Sequence, residues 1–168
     1  MPTLLEGSCR CGAARFTVAS HTPQPYQLCY CSICRKTAGG GGYAINLAGV
    51  AGTLEVQGRE ALGVYRAEIE ETGADGVCRL QTSSGQRHFC TRCASALWLF
   101  DPTWPDLVHP FASAIDSELP TPPSRVHLML RYKASWVEPR IGPDDACFDE
   151  YPAQSIEDWH KSRGLWID

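Results

Sequence analysis

A mostly β fold whose sheets are pinned by metal is what this sequence predicts, on three grounds. Short apolar or alternating runs recur between turn residues from one end of the chain to the other. Helical periodicity is scarce. Seven of the nine cysteines fall into tight clusters, Cys9-x-Cys11, Cys29-x-Cys31-x-x-Cys34 and Cys90-x-x-Cys93. Thiolates this close in sequence can aim at one ion about 2.3 Å from each sulfur.

In chain order the strand-like runs are Ala13–Val18, Tyr43–Leu47, Thr53–Val56, Leu62–Arg66, Val77–Thr82, Ala96–Phe100, Leu107–Ala112 and Val126–Tyr132. Gly, Pro, Asp or Ser separates nearly all of them, which is the punctuation of strands and turns. Glu68-Ile-Glu-Glu71 reads as a solvated edge. A short helical turn is expected after Cys31, where Ser32-Ile-Cys-Arg-Lys-Thr precedes a run of glycines. A longer helix is expected to start at Ser155 as N-cap, with Asp158 three residues on, and to stop near Gly164. Pro120–Pro123 and Gly142–Asp145 read as loops rather than linkers, because β-like or aromatic segments continue on both sides. At 168 residues the chain is long enough for one core and short for two, so residues 1–168 are expected to form a single domain.

The formal net charge of −4 argues against a nucleic-acid partner, since phosphate binding wants a basic face. No window approaches the ~20 apolar residues of a membrane span, and the N-terminal residues lack the pattern of a signal peptide. The expected setting is therefore soluble and cytoplasmic. Thiols stay reduced there, and clustered cysteines are metal ligands more often than bridges.

The clusters divide by number. Cys9 and Cys11 at one end of the sequence and the distant pair Cys90 and Cys93 supply four sulfurs, enough to close a tetrahedral structural zinc site. Gly12 suits a turn that passes close to the metal. Cys29, Cys31 and Cys34 supply three sulfurs within six residues, the number found in open sites whose fourth position takes water or substrate. That fourth position could be filled by a water, an incoming thiol, or a side chain such as Cys78, Cys147 or a histidine. Left open, a zinc ion there lowers the pKa of a bound thiol or water and polarises a carbonyl. Arg35 and Lys36 directly follow the cluster and can either offset its negative charge or receive a substrate carboxylate. Gly40 and Gly41, within Gly39–Gly42, can bring backbone N–H groups close to a ligand; an ordinary flexible turn explains them equally well.

The segments Gly7-Ser-Cys9-Arg-Cys11-Gly12, Cys29-x-Cys31-Ser-x-Cys34-Arg-Lys and Phe89-Cys90-x-x-Cys93 together resemble the signature of the GFA family. That family takes its name from the glutathione-dependent formaldehyde-activating enzyme, S-(hydroxymethyl)glutathione synthase, and includes centromere protein V. Ser83-Ser-Gly85 and the stretch from Pro122 to Trp136 with His127 match as well, so the likeness spans nearly the whole chain. The resemblance implies a β-tent fold of stacked antiparallel sheets and two zinc ions. One would be structural, held by Cys9, Cys11, Cys90 and Cys93; the other would be catalytic, held by Cys29, Cys31 and Cys34. It implies a carbon–sulfur lyase-type activity that joins glutathione or another small thiol to formaldehyde or another aldehyde. Two positions depart from the family pattern. Tyr30 stands where a histidine is frequent, which removes a possible proton-transfer group, and Ala94 replaces a common glycine.

Other chemically suggestive residues have plainer readings. Cys78 and Cys147 read as core or surface thiols. His88 reads as a strand residue pointing along the sheet, and His127 as a satisfied strand histidine. The five tryptophans read as core and rim packing. Two other functions compete with the lyase: a non-catalytic binding module with two structural zinc ions, and a redox protein using Cys-x-x-Cys. The redox motif normally opens a helix in a βαβ setting, which this sequence lacks. The fourth ligand of the second zinc separates enzyme from module.

Overall fold

The computed structural model describes residues 1–168, and it is mostly β, with fourteen strands, two short α-helices and several 3-10 turns. The first sheet orders β1 (Thr3–Ser8), β2 (Arg15–Ser20) and β6 (Glu55–Gln57). In register, Leu5 faces Val18 and Gly7 faces Phe16. Leu5, Phe16 and Val18 are buried while their neighbours along each strand are more open, the two-residue alternation of a half-buried sheet.

The second sheet is antiparallel throughout. It orders β5 (Gly49–Val50), β12 (Leu107–Pro110), β11 (Ala96–Phe100), β10 (Gln86–Cys90) and β7 (Leu62–Tyr65). Opposite the step from His88 to Phe89 on β10, β11 carries one extra residue, Leu97, a bulge just before the pairing reaches Cys90. Leu5, Phe16, Val18, Leu97, Trp98 and Val108 form the main core between these two sheets, and Cys9 and Cys90 belong to it.

A third sheet orders β14 (Ala146–Cys147), β13 (Val126–Leu128), β3 (Gln27–Cys29) and β4 (Ala44–Ile45). Here β13 runs parallel to both β3 and β14, the one place where the pairing is not antiparallel. Tyr26, Phe111, Leu128 and Trp159 pack with Cys29 and Cys34 in a second core. The remaining pair, β8 (Glu68–Thr72) and β9 (Cys78–Thr82), is an exposed two-stranded ribbon, so the solvated acidic edge is a strand.

Both expected helices form. In α1 (Ser32–Thr37) the N-cap is Cys31, whose Sγ accepts the backbone N–H of Cys34 at 3.3 Å. In α2 (Ile156–Ser162) the Ser155 hydroxyl accepts the N–H of Asp158 at 3.1 Å. Trp159 then stacks on Tyr26 with ring centroids 3.6 Å apart, which fastens α2 to the second core. Several expected strands are shorter than their apolar runs, two of them by three residues or more. Tyr43–Leu47 pairs only at Ala44–Ile45, and Val126–Tyr132 stops at Leu128 because Met129 adopts φ +61 and a 3-10 turn follows. No helix is long and apolar enough to cross a membrane.

Candidate functional site

Two tight turns build the first centre. After Cys9 and Cys11 the chain reverses through Gly12 at φ +76, and the Gly12 N–H donates to the Cys9 carbonyl at 2.9 Å. After Cys90 and Cys93 it reverses through Ala94 at φ +60, whose N–H donates to the Cys90 carbonyl at 2.8 Å. The turns face each other, and the four sulfurs lie within 4.8 Å of one another. Cys9 and Cys11 sulfurs are 3.5 Å apart, and those of Cys11 and Cys90 are 3.8 Å apart. A tetrahedron with metal–sulfur distances of about 2.3 Å has sulfur–sulfur edges of about 3.8 Å. Four sulfurs with these spacings fit a zinc-sized thiophilic ion.

Second contacts orient the same sulfurs. The Ala14 N–H donates to Cys9 Sγ at 3.2 Å, and the Ser95 hydroxyl lies 3.2 Å from Cys93 Sγ while accepting the Arg10 N–H at 3.0 Å. The Ser95 hydroxyl and its backbone N–H hold the Cys93 thiol down to about 5. Burial raises the Cys9 thiol, but the Ala14 amide and the neighbouring thiols outweigh it, so the net shift is downward. Such contacts favour the thiolate, the form that binds metal.

The second cluster sits on the end of β3 and the first turn of α1. Its three sulfurs also lie within 4.8 Å of one another, and no further His, Cys, Asp or Glu joins them. Cys78 and Cys147 are exposed and separate from it. The thiols do not titrate alike. Hydrogen bonds from Cys29 and Cys34, with the Cys34 and Ile33 amides, push Cys31 down to about 2 against the effect of burial. Contact with the Cys31 and Cys34 sulfurs, followed by burial, drives Cys29 far up.

These cysteines line a cleft of about 670 Å³, walled by β8, β10 and β11. Arg87 is the only lysine or arginine lining it. Its Nη2 donates to Cys34 Sγ at 3.7 Å, whereas its Nη1 is buried with no acceptor. Asn46 lines the same cleft with its Oδ1 buried and equally without a partner. His109 lies nearby, its pKa lowered by burial against the opposing pull of the Leu47 carbonyl and Asp101.

Arg35, Lys36 and Gly40 line a separate pocket of about 410 Å³ with Ser95 and Ser113, and that pocket shares no lining residue with the cleft. Gly41 lines neither. At Gly42, φ is +90 and a Cβ would come within 2.3 Å of Val137, so this glycine serves the chain reversal before β4.

Behind the cluster, Tyr30 lies on the opposite face of the chain from Cys29 and Cys31. Its hydroxyl is 2.9 Å from His127 Nδ1, and His127 Nε2 is 3.2 Å from Asp145 Oδ2. A carboxylate only accepts, so Nε2 carries the proton and Nδ1 accepts from the tyrosine. His127 is thus a satisfied strand histidine. His88 stacks on Trp98 at 4.9 Å. Trp98 and Trp159 are core residues, while Trp104 and Trp136 are exposed.

Sequence reasoning located the cysteines but not Arg87, Asn46 or the Tyr30–His127–Asp145 chain. A lone arginine in an alternating strand carries no signal of the cleft it enters.

Residues 4–128 match the family model described as glutathione-dependent formaldehyde-activating enzyme. A protein of Halomonas elongata, provisionally named a glutathione-dependent formaldehyde-activating enzyme, is 63% identical over 96% of this chain and 98% of its own length. A crystal structure of a Rhodobacter sphaeroides protein superposes with a TM-score of 0.50 at 21% identity, covering 68% of this chain and 91% of that one, a likeness of fold alone. With both cysteine clusters assembled and the match spanning most of its length, the chain belongs to the glutathione-dependent formaldehyde-activating enzyme (GFA) family.

Proposed function

We propose that this protein is a zinc-dependent, lyase-type enzyme that joins the thiol of glutathione to formaldehyde, forming S-(hydroxymethyl)glutathione. The observation that carries this reading is a three-cysteine cluster with no fourth protein donor, set in the wall of a cleft of about 670 Å³. Family membership and the name of the Halomonas elongata relative supply the thiol and the aldehyde. Cys9, Cys11, Cys90 and Cys93 would hold a structural zinc, and Cys29, Cys31 and Cys34 a second one. A zinc ion at the open site supplies Lewis acidity, which favours the thiolate form of a thiol.

The chain's own residues do the rest. Cys29, Cys31 and Cys34 bring one side of the cleft to net negative charge, which Arg87 offsets from 3.7 Å. Glu68, Ile69 and Glu70 of β8 form one wall of the cleft. Addition of a thiol to an aldehyde forms one C–S bond and moves one proton from sulfur to oxygen, with no redox change. The enzyme therefore needs thiolate, positioning and a polar environment for the oxygen, and no electron carrier.

The test combines metal content and rate. Protein purified under reducing conditions is expected to carry two zinc ions per chain, with the second perturbed by millimolar glutathione. S-(hydroxymethyl)glutathione should form faster than in the spontaneous reaction. Cys31→Ser is expected to lose one zinc and all catalysed rate. A catalysed rate that survives Cys31→Ser refutes the role of the cluster. Two thiol-indifferent zinc ions without turnover mean a structural zinc module.

A further inference from the structure

Two buried polar atoms of opposite kind lack partners in one cleft. Arg87 Nη1 is a donor without an acceptor, and Asn46 Oδ1 is an acceptor without a donor. Burying either atom unpaired costs stability, so such atoms mark places where a ligand completes the bonding. Their positions come from different parts of the second and third sheets. Arg87 stands on β10, held between Tyr65 and Leu99 across the strand pairs. Asn46 follows β4 and bridges to Phe111. The cleft also holds Glu68, Glu70 and Asp101, and no other lysine or arginine. A carboxylate ligand would meet three acidic side chains there, whereas one oxygen that both accepts and donates would satisfy both orphan atoms.

We propose that Arg87 and Asn46 form a subsite for a hydroxyl-bearing carbon attached to the reacting sulfur, the hydroxymethyl group of a hemithioacetal. This rests on the thiol–aldehyde reading above and specifies which residues act on its oxygen. Arg87 already touches Cys34 Sγ through Nη2, so Nη1 is placed for an oxygen one carbon removed from a sulfur at the cluster. When thiolate sulfur adds to the carbonyl carbon, a C–S bond forms and the C=O π pair moves to oxygen. The alkoxide lies against the guanidinium, then takes a proton from water, and the proton released by the thiol neutralises the hydroxide left behind. The resulting O–H donates to Asn46 Oδ1. A charged donor aimed at an oxygen that becomes negative is worth more in the transition state than in the ground state.

Two probes that differ by one group test this without turnover. S-(2-hydroxyethyl)glutathione and S-propylglutathione are compared by calorimetry on the metal-loaded protein and on Asn46→Ala, Arg87→Lys and Arg87→Gln. The intact protein should bind the hydroxyl probe about tenfold tighter, and Asn46→Ala and Arg87→Gln should bring the ratio to about one, with Arg87→Lys between them. In turnover, Arg87→Gln should lower kcat about 100-fold with little change in KM for glutathione. Arg87→Lys, which keeps the charge, and Asn46→Ala remain informative if Arg87→Gln does not fold. Equal binding of the two probes by the intact protein, or binding of neither, overturns the subsite whatever the turnover. So do variants that keep the wild-type ratio and kcat. Discrimination between the probes without any catalysed rate leaves the subsite standing and overturns the reaction.

Discussion

Ala94 shows how one residue stores strain at a turn of the four-cysteine cluster. It sits at φ +60, in the left-handed region, where Gly12 occupies the equivalent place in the facing turn at φ +76. A Cβ there costs roughly 1–2 kcal/mol, part of which is regained through the stiffer unfolded chain. Ala94→Gly is therefore expected to stabilise the protein by about 1 kcal/mol in urea unfolding of the metal-loaded form. A neutral or destabilising result would mean the Ala94 methyl makes a compensating contact. Tyr30 is the second informative residue. Its hydroxyl satisfies His127 Nδ1 in a fully buried setting. Tyr30→Phe should cost about 1–3 kcal/mol by leaving that nitrogen unpaired, although it removes only one oxygen. Equal stability of the two proteins would show that water takes over the bond.

Among the elements, β10 links the two centres. Cys90 ends it in the first cluster, and Arg87, three residues earlier, reaches the second. The partner strand β11 carries a bulge at Leu97 opposite the His88–Phe89 step, where these two duties divide. The other element of interest is α2, which is short and depends on its cap and its docking. Ser155→Ala should cost about 1 kcal/mol by freeing the Asp158 N–H. Trp159→Ala should cost about 3–5 kcal/mol, since it removes a buried ring stacked on Tyr26. Hydrogen exchange at 156–162 separates the two effects. The cap variant should loosen the first turn, and the core variant should release the whole helix.

For the molecule as a whole, three buried or half-buried histidines contribute to the response to acid. Burial lowers the pKa of His88, His109 and His160. Burial, aided by the nearby Arg163 charge, lowers the His160 pKa against the opposing pull of the Ile156 carbonyl, which accepts from Nδ1 at 2.8 Å, while Nε2 accepts the Gln24 N–H. Below the unfolded value of about 6.5 the unfolded chain binds more protons than the folded one, so stability falls as pH drops. The unfolding free energy should decline from pH 7 to pH 5, and less steeply in His160→Gln than in the wild type. Thiolate protonation is common to both proteins and cancels in that comparison. A slope unchanged by the substitution would rule out a contribution from His160.

The amino-acid sequence alone determined the mostly β class, both helices and the grouping of seven cysteines. Each of these is local: strand punctuation, a capping serine, and ligands one to three residues apart act over a single turn of chain. The pairing of Cys9 and Cys11 with Cys90 and Cys93 was also legible, because four sulfurs make one closed site and three make another. Tertiary structure decided the rest. It turned β13 parallel to β3, ended a strand at Met129, and sent Arg35 and Lys36 to a pocket of their own. It also carried Arg87 and Asn46 into the cleft of the second cluster. Those outcomes depend on which strands become neighbours and which face each presents. Residues far apart in sequence acquire a shared chemistry only when the sheets pack.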